Sequence, residues 1–355
     1  MNSQFEYQES LNSLRFTDEQ KEAIARRAAE AARQQTRQAR PAHRRPVRRM
    51  ALVAAAAVLV LAMGTAGATG ILKSAAEAFA PIFGTSAAQT EIIDKIGYPV
   101  GASDTAGGIT ITADAVMGDR YNAAIIFTIT RDDGTALLPE GTQDDMLLVR
   151  GGGADLNILG GTHGGSWFVD EDPTDNTVQL IQTVSADVPI NDCTATAQFD
   201  DLWRWDAESG EAVPFAEGTW KLRFDVRYED ASVTLGGGET FTQDGLTFTI
   251  DAITLSPVAV KVDYTVDKEV VWSNHESGRQ SDEDAEQMAR YMENVEILLN
   301  RTDGTTLDLS NAGGSISPQD GVTVCSKSTV FSEILPLEDL ASISVGGVVF
   351  PITAE

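Results

Sequence analysis

The sequence predicts a mainly β protein. An N-terminal helical segment and one transmembrane helix precede two immunoglobulin-like antiparallel β-sandwich domains. Three observations carry this. Residues 50–72 are a 23-residue run without a charge. From about residue 105 the apolar residues recur with period two, as half-buried strands require. A two-strand pattern beginning at Gly108 then returns 137 residues later.

Residues 1–49 are too short to build an ordinary hydrophobic core. Thr17 followed by Gln20 has the form of a capping box. The stretch after it is rich in Ala, Glu, Gln and Arg, all strong helix formers. Its acids come early and its bases late, which suits the helix dipole. Ile24 is its one large apolar residue, and Phe5, Tyr7, Leu11, Leu14 and Phe16 lie just before it. Two readings are open: a solvated tail, or a cytoplasmic element that docks Leu11, Leu14, Phe16 and Ile24 on a partner and folds as it binds.

Residues 50–72, as a helix, reach about 34 Å, against about 30 Å for the hydrocarbon core of a bilayer. Arg44, Arg45, Arg48 and Arg49 flank the run, and residues 31–49 contain no acid. Basic flanks stay cytoplasmic, so the N-terminus is expected inside and the C-terminal domains outside. The four arginines are expected to meet lipid headgroups. A cleaved signal peptide ending near Ala66-x-Ala68 and a buried soluble helix are the other readings of the run.

Charge divides at the same place. Residues 1–49 carry 11 Lys/Arg and 6 Asp/Glu, and the rest of the chain carries 15 and 47. A surface so acidic is repelled by nucleic acid and by anionic headgroups. It favours solubility outside the cell, and it attracts cations or basic partners.

Residues 73–104 read as a membrane-proximal linker with a short apolar cluster at Phe79, Pro81, Ile82 and Phe83. Residues 105–230 are expected to form the first sandwich and residues 231–355 the second. Gly108-Ile-Thr-Ile-Thr-Ala-Asp-Ala-Val matches Gly245-Leu-Thr-Phe-Thr-Ile-Asp-Ala-Ile, and Phe127-Thr-Ile matches Tyr264-Thr-Val at the same 137-residue offset. Ile111 and Phe248 are therefore expected at matching inward positions. A further echo, Arg131-Asp-Asp-Gly-Thr and Arg301-Thr-Asp-Gly-Thr, falls at offset 170. It needs 33 inserted residues in the second copy, or else the two hairpins are not equivalent. Residues 281–294 read as a helical insertion capped by Ser281, with Met288, Tyr291, Met292 and Val295 at helical spacing. The Gly236–Gly238 stretch reads as the boundary between copies.

Catalytic patterns are missing. His43, His163 and His275 have no neighbours at metal-ligand spacing, and neither G-x-S-x-G nor H-E-x-x-H occurs. No enzyme activity, cofactor or metal is expected. The glycine-rich run 151–165 lacks the Lys-Ser/Thr ending of a P-loop and reads as a flexible hairpin end with turns. The acidic run Asp170–Asp175 lacks the register of an EF-hand and reads as a solvated turn. Trp203 and Trp205, with Trp167 and Trp220, read as core rather than as a sugar platform. Cys193 and Cys325 lie in different domains and read as two unpaired thiols.

The basic N-terminal segment, the single apolar run, Phe79-Ala-Pro-Ile-Phe-Gly84, Gly108-Ile-Thr-Ile-Thr-Ala-Asp with its following Phe-Thr-Ile strand, and the closing segment from Phe331 to Gly347 together resemble a family. It is the group of Gram-positive membrane proteins with the domain of unknown function numbered 4179, and the resemblance covers roughly residues 45–355. It implies an anti-sigma-like protein partnered with an extracytoplasmic-function sigma factor. The chain lacks the His/Cys cluster of zinc-containing anti-sigma domains, so its binding mode must differ. The expected function is a single-pass signalling protein, with external β domains that answer to a ligand of unknown identity and a cytoplasmic segment that holds a sigma factor. The alternative is an anchored surface binding or adhesion protein without a regulatory role.

Overall fold

A computed structural model describes residues 73–150, 152–273 and 280–353. The segment 1–49 and the run 50–72 lie outside the described residues. Among the described residues no helix is long and apolar enough to cross a membrane. The architecture is mainly β, built of antiparallel sheets in a sandwich-like arrangement.

Two short helices come first, α1 (Ala75–Phe83) and α2 (Ala87–Ile96). The Ser74 hydroxyl accepts the Glu77 N–H at 3.1 Å, and the Glu77 carboxylate accepts the Ser74 N–H at 2.8 Å. This capping box starts α1, and Gly84 at φ +81° ends it. Ser86 caps α2, its hydroxyl accepting the Gln89 N–H at 3.4 Å. The expectation of a linker over 73–104 is thus corrected: the segment holds a helical hairpin and most of a strand.

That strand, β1 (Gly97–Ala106), opens the first half and begins before the expected residue 105. β2 (Ile109–Gly118), β3 (Asn122–Arg131), β4 (Leu147–Leu148), β5 (Gly152–Asp155), β6 (Thr162–Val169), β7 (Thr177–Ala186), β8 (Cys193–Asp206) and β9 (Glu211–Val226) follow. One sheet runs β1-β2-β3-β7-β6; in the other, β8 pairs with β4, β5 and β9. Ile111, Ile125 and Phe127 from the first sheet pack on Ala197, Phe199, Leu222 and Phe224 from the second. Phe127 meets Phe199 edge-on with ring centres 5.2 Å apart.

The second half comprises β10 (Val233–Leu235), β11 (Thr240–Gln243), β12 (Leu246–Leu255) and β13 (Ala259–Val266). Then come helix α3 (Asp282–Met288), a π turn (Ala289–Glu293), β14 (Ile297–Arg301), β15 (Thr306–Asp308), β16 (Gly313–Gln319), β17 (Val322–Val330), β18 (Leu340–Val345) and β19 (Val348–Pro351). One sheet runs β10-β12-β13-β17-β16 with β11 also on β12, and the other runs β15-β14-β18-β19. Phe248, Ile250, Val262 and Tyr264 pack on Ile297, Leu299, Ile343 and Val345.

The 137-residue interval is written into the hydrogen-bond register. Ile111 pairs with Ile129, and Phe248 with Val266; Val116 pairs with Ile125, and Ile253 with Val262. Ile111 and Phe248 both sit fully buried in their cores. Each strand pair carries a one-residue bulge, at Asp114 and at Asp251. Asp114 accepts the Thr128 hydroxyl, and Asp251 the Thr265 hydroxyl, again 137 apart. A bulge adds a residue without a ladder partner and increases local twist, so its retention with the same side-chain bond ties the two copies together more closely than strand composition does. Gly236–Gly238 is not a boundary. It separates β10 from β11 at the offset of Pro99–Gly101, where β1 breaks register.

The offset-170 echo has the other explanation. Arg131 ends β3 in one sheet of its half, whereas Arg301 ends β14 in the other sheet of the second half. The two segments share only a turn: Gly134 and Gly304 each donate to the arginine three residues earlier, at 3.2 and 3.1 Å.

A third apolar cluster joins the parts. Ala78, Phe79, Phe83, Ile93 and Ile96 of the hairpin cover the outer face of the first sheet at Ala115, Met117, Ala124 and Ile126, and they reach Val258, Ala259 and Ile334 of the second half. The equivalents of those four sheet positions in the second copy are Ala252, Thr254, Lys261 and Asp263. The copy that carries the hairpin keeps an apolar outer face; the other has become largely polar.

Candidate functional site

The residues expected to bind a partner, Leu11, Leu14, Phe16 and Ile24, and the membrane-flanking Arg44, Arg45, Arg48 and Arg49, all lie outside the described residues, as do His43 and His275. Within the described residues the polar chemistry gathers at the junction of the two halves.

At its centre are two corner residues. Asp119 follows β2 and Ser256 follows β12, at the 137-residue offset. Each organises its own turn. Asp119 Oδ1 accepts the N–H groups of Tyr121 and Asn122 at 2.9 Å, and Ser256 Oγ accepts those of Val258 and Ala259 at 3.2 and 3.0 Å. The two corners then bond to each other: Ser256 Oγ donates to Asp119 Oδ2 at 2.6 Å. Asp119 is fully buried. Burial pushes its carboxyl above the usual range, and the bonds from Ser256, Tyr121 and Asn122 oppose that rise.

Three further contacts cross the junction. Lys261, almost fully buried, pairs with Asp263 and lies over the Tyr121 ring, 4.7 Å from its centre. Asp187 accepts the hydroxyls of Ser315 and Ser326 at 3.0 and 2.9 Å. His163 Nε2 lies 3.1 Å from Ser328 Oγ. Such buried polar contacts fix a register between surfaces and are costly to leave unmade.

Two clefts open beside the junction, each with a junction residue in its wall. One, of about 410 Å³, includes His163 with Leu156, Ile158, Leu180, Gln182 and Phe199. The other, of about 490 Å³, includes Asp119 with Arg120, Ile190, Asp192, Tyr228 and Asp230. The glycine-rich run lines the first cleft and corrects the reading as a flexible hairpin end with turns. Gly152 lies in β5 and Gly164 in β6, and a Cβ on either would meet a backbone oxygen of the neighbouring strand at 2.2 and 2.0 Å. These glycines allow close strand approach rather than turning the chain. Gln182 braces the cleft from β7, with its amide bonded to both the N–H and the C=O of Ala154 in β5 at 2.8 and 3.0 Å.

The hairpin meets the bulge. Lys73 Nζ lies 3.9 Å from Asp114. Burial raises the Asp114 carboxyl, against the pull of the Thr128 hydroxyl and the Lys73 charge.

Other sequence expectations separate here. Trp220 is core, with Nε1 donating to the Ile109 carbonyl at 2.9 Å. Trp167 and Trp205 are 42% and 46% exposed, so the core reading does not extend to them. Trp203 lies under the Arg150 guanidinium at 4.6 Å. Cys193 and Cys325 are free thiols, and burial pushes Cys325 up to about 12. Helix α3 starts at the expected Ser281 cap. The buried Lys327, which sequence reading passed over, holds the segment after it: Nζ donates to the carbonyls of Met292, Val295 and Ser310 at 2.9, 3.1 and 2.5 Å. Among the described residues no cluster of His, Cys, Asp and Glu is placed to hold a metal ion.

No family model matches the chain, and no curated protein matches it. Among solved structures, it is similar to the crystal structure of the conserved domain protein from Bacillus anthracis, at 14% identity and a TM-score of 0.46, over 70% of this chain and 76% of that one.

Proposed function

We propose that the chain is a single-pass membrane signalling protein of anti-sigma type. In this reading residues 50–72 span the membrane, residues 1–49 are cytoplasmic, and two immunoglobulin-like sandwiches stand outside. The cytoplasmic segment holds an extracytoplasmic-function sigma factor through Leu11, Leu14, Phe16 and Ile24. Arg44, Arg45, Arg48 and Arg49 rest on lipid headgroups. No nucleic-acid contact and no catalysis are required.

The observation that supports this reading is the helical hairpin. It begins three residues after the apolar run and is packed against the outer face of one half while touching the other. A passive tether has no need of such packing. With it, a change at the junction alters the seat of α1 and α2, and so the position of the chain where it leaves the membrane. Signalling needs two states with different external contacts and different cytoplasmic affinity. A junction whose register rests on a few polar bonds beside the apolar cluster is suited to supply the first difference.

The test is transcription from the partner's promoters in cells carrying Leu14→Asp or Ser256→Ala. Both should raise it, the first by releasing the partner and the second by loosening the junction. Unchanged transcription in both, with the proteins present at wild-type levels, contradicts the reading. The surface-binding alternative draws on Trp205 and the Arg150–Trp203 stack; under it, deletion of residues 1–49 has no transcriptional effect.

A further inference from the structure

We infer that the free edge of β6 is a docking site for an extended peptide that alternates apolar with cationic residues and pairs with the edge as an added strand. The inference gives the external portion of the signalling reading its ligand class. Binding is measured without reference to transcription, so the two fail separately.

The edge is open. β6 pairs with β7 alone. Gly161 accepts the Asp187 N–H at 2.9 Å, so β6 residues at odd positions turn their backbone groups to β7 and those at even positions turn theirs away. Thr162, Gly164 and Ser166 are exposed, and among the described residues no protein group bonds to the backbone they turn away. Such an edge is a template for another strand, and other edges of this fold are guarded against one. β1 breaks register between Pro99 and Ala102, β16 carries Pro318, β19 carries Pro351, and β15 is three residues long. β6 runs for eight residues with no proline, no Asp, Glu, Lys or Arg, and no register shift.

A cleft lies along the same edge. It holds about 410 Å³, and its lining joins Thr162, Gly164 and Ser166 of β6 to the apolar Leu156, Leu180 and Phe199. Even positions of β6 face the core, where Phe168 is buried, but Gly164 and Ser166 put little there. A strand added to β6 sends alternate side chains to that face, into the cleft. Main-chain bonds then hold the strand, and the cleft selects its apolar residues.

The charge around the edge selects the remaining residues. Asp155 lines the cleft and no Lys or Arg does. β6 runs directly into Asp170-Glu171-Asp172. Burial raises the Asp170 carboxyl, and the charges of Asp175, Asp144 and Asp172 add to the rise against the bond from the Asp172 N–H. Among the described residues none of Asp144, Asp155, Asp170 and Asp172 is in an ion pair. Cationic side chains relieve this crowding, and an acidic peptide is repelled. A second copy of the chain would bring its own acidic run to the edge. On the outer face of β6 the exposed Trp167 offers its ring to a cation.

The edge also reaches the junction. His163, the second residue of β6, lies against Ser328 of the second half. A strand here therefore bears on the contact between the halves.

The experiment is calorimetric titration of the full chain, in dodecyl maltoside, with the capped peptide Lys-Val-Lys-Val-Lys-Val-Lys. The controls are the same peptide with every backbone amide N-methylated, and a peptide with Glu in place of each Lys. Saturable one-to-one binding of the lysine peptide is expected, with no binding of either control. Ser166→Pro removes a free N–H and leaves the ladder to β7 intact. It should keep the wild-type melting temperature and weaken binding about tenfold. Trp167→Ala should weaken binding about threefold. If the proline lowers the melting temperature, Trp167→Ala is the deciding variant. The inference is overturned if the lysine peptide does not saturate, if either control binds as well as it does, or if the deciding variant binds as the wild type does. A dimer that Ser166→Pro dissociates would give the edge to a second copy. Binding that appears only after deletion of residues 1–49 would give it to the chain's own basic segment. Either result also overturns the inference.

Discussion

Ser256 donates its hydroxyl to Asp119 across 2.6 Å, and the two residues stand 137 positions apart, the interval that maps one copy's strand pair onto the other's. Equivalent corners of a duplicated unit thus touch each other. The two residues are complementary at that contact. Each still caps its own turn, but one is an acceptor only and the other can donate. Where like residues would compete for the same role, Asp and Ser complement one another.

Loss of that bond should be measurable. In a purified segment comprising residues 73–355, Ser256→Ala is expected to lower stability to urea by about 1–2 kcal/mol. The loss exceeds that of an average hydrogen bond because the Asp119 carboxylate is buried. An effect below about 0.3 kcal/mol would mean that the junction does not depend on this pair.

The hairpin should bind the halves into one cooperative unit. Phe79 is fully buried among residues of α2, the first sheet and the second half. Phe79→Ala is expected to cost about 3–5 kcal/mol and to split the thermal transition in two. A single transition shifted to lower temperature would argue that the junction alone couples the halves.

Asp114 gives a pH dependence of defined sign. Its folded pKa lies above the ordinary 3.8, chiefly through burial. Its contribution to stability is fully present below about pH 3.8 and is lost as pH rises through the raised folded value. Asp114→Asn should therefore flatten the fall in urea midpoint over that window. Parallel profiles for the two proteins would contradict the assignment.

Lys327 works at the alkaline end. Burial lowers it from 10.5 to about 8, and Glu293 and Asp308 oppose the shift. The unfolded chain then binds more protons between those values, so this group's contribution to stability rises with pH from about 8 to 10.5. Lys327→Met should remove that rise. It should also cost about 2–4 kcal/mol at pH 7, because three carbonyls lose their donor. A variant with the wild-type alkaline slope would show that Lys327 does not titrate there.

The duplication was legible because Gly108–Val116 and Gly245–Ile253 keep both their Thr alternation and their interval. The bulges were not, although Asp114 and Asp251 are matched in both copies; a bulge changes hydrogen-bond register, and register leaves no mark on composition. The hairpin was missed although Ser74 and Glu77 form a capping box, because Pro81 and the short spans argue against helices when read locally. The offset-170 echo left two explanations open because Arg-x-Asp-Gly-Thr specifies a turn and says nothing about which sheet the turn closes. The junction has no local signature at all: its partners, such as His163 and Ser328, are distant in sequence and meet only after folding.

The most direct measurement is recovery of a sigma factor with the full-length chain purified from membranes, identified by mass spectrometry and compared with Leu14→Asp. The proposed function predicts that the wild-type chain retains an extracytoplasmic-function sigma factor, that Leu14→Asp loses it, and that Arg37→Ala keeps it. Absence of any sigma factor from the wild-type preparation, together with unchanged transcription when residues 1–49 are deleted, would contradict it.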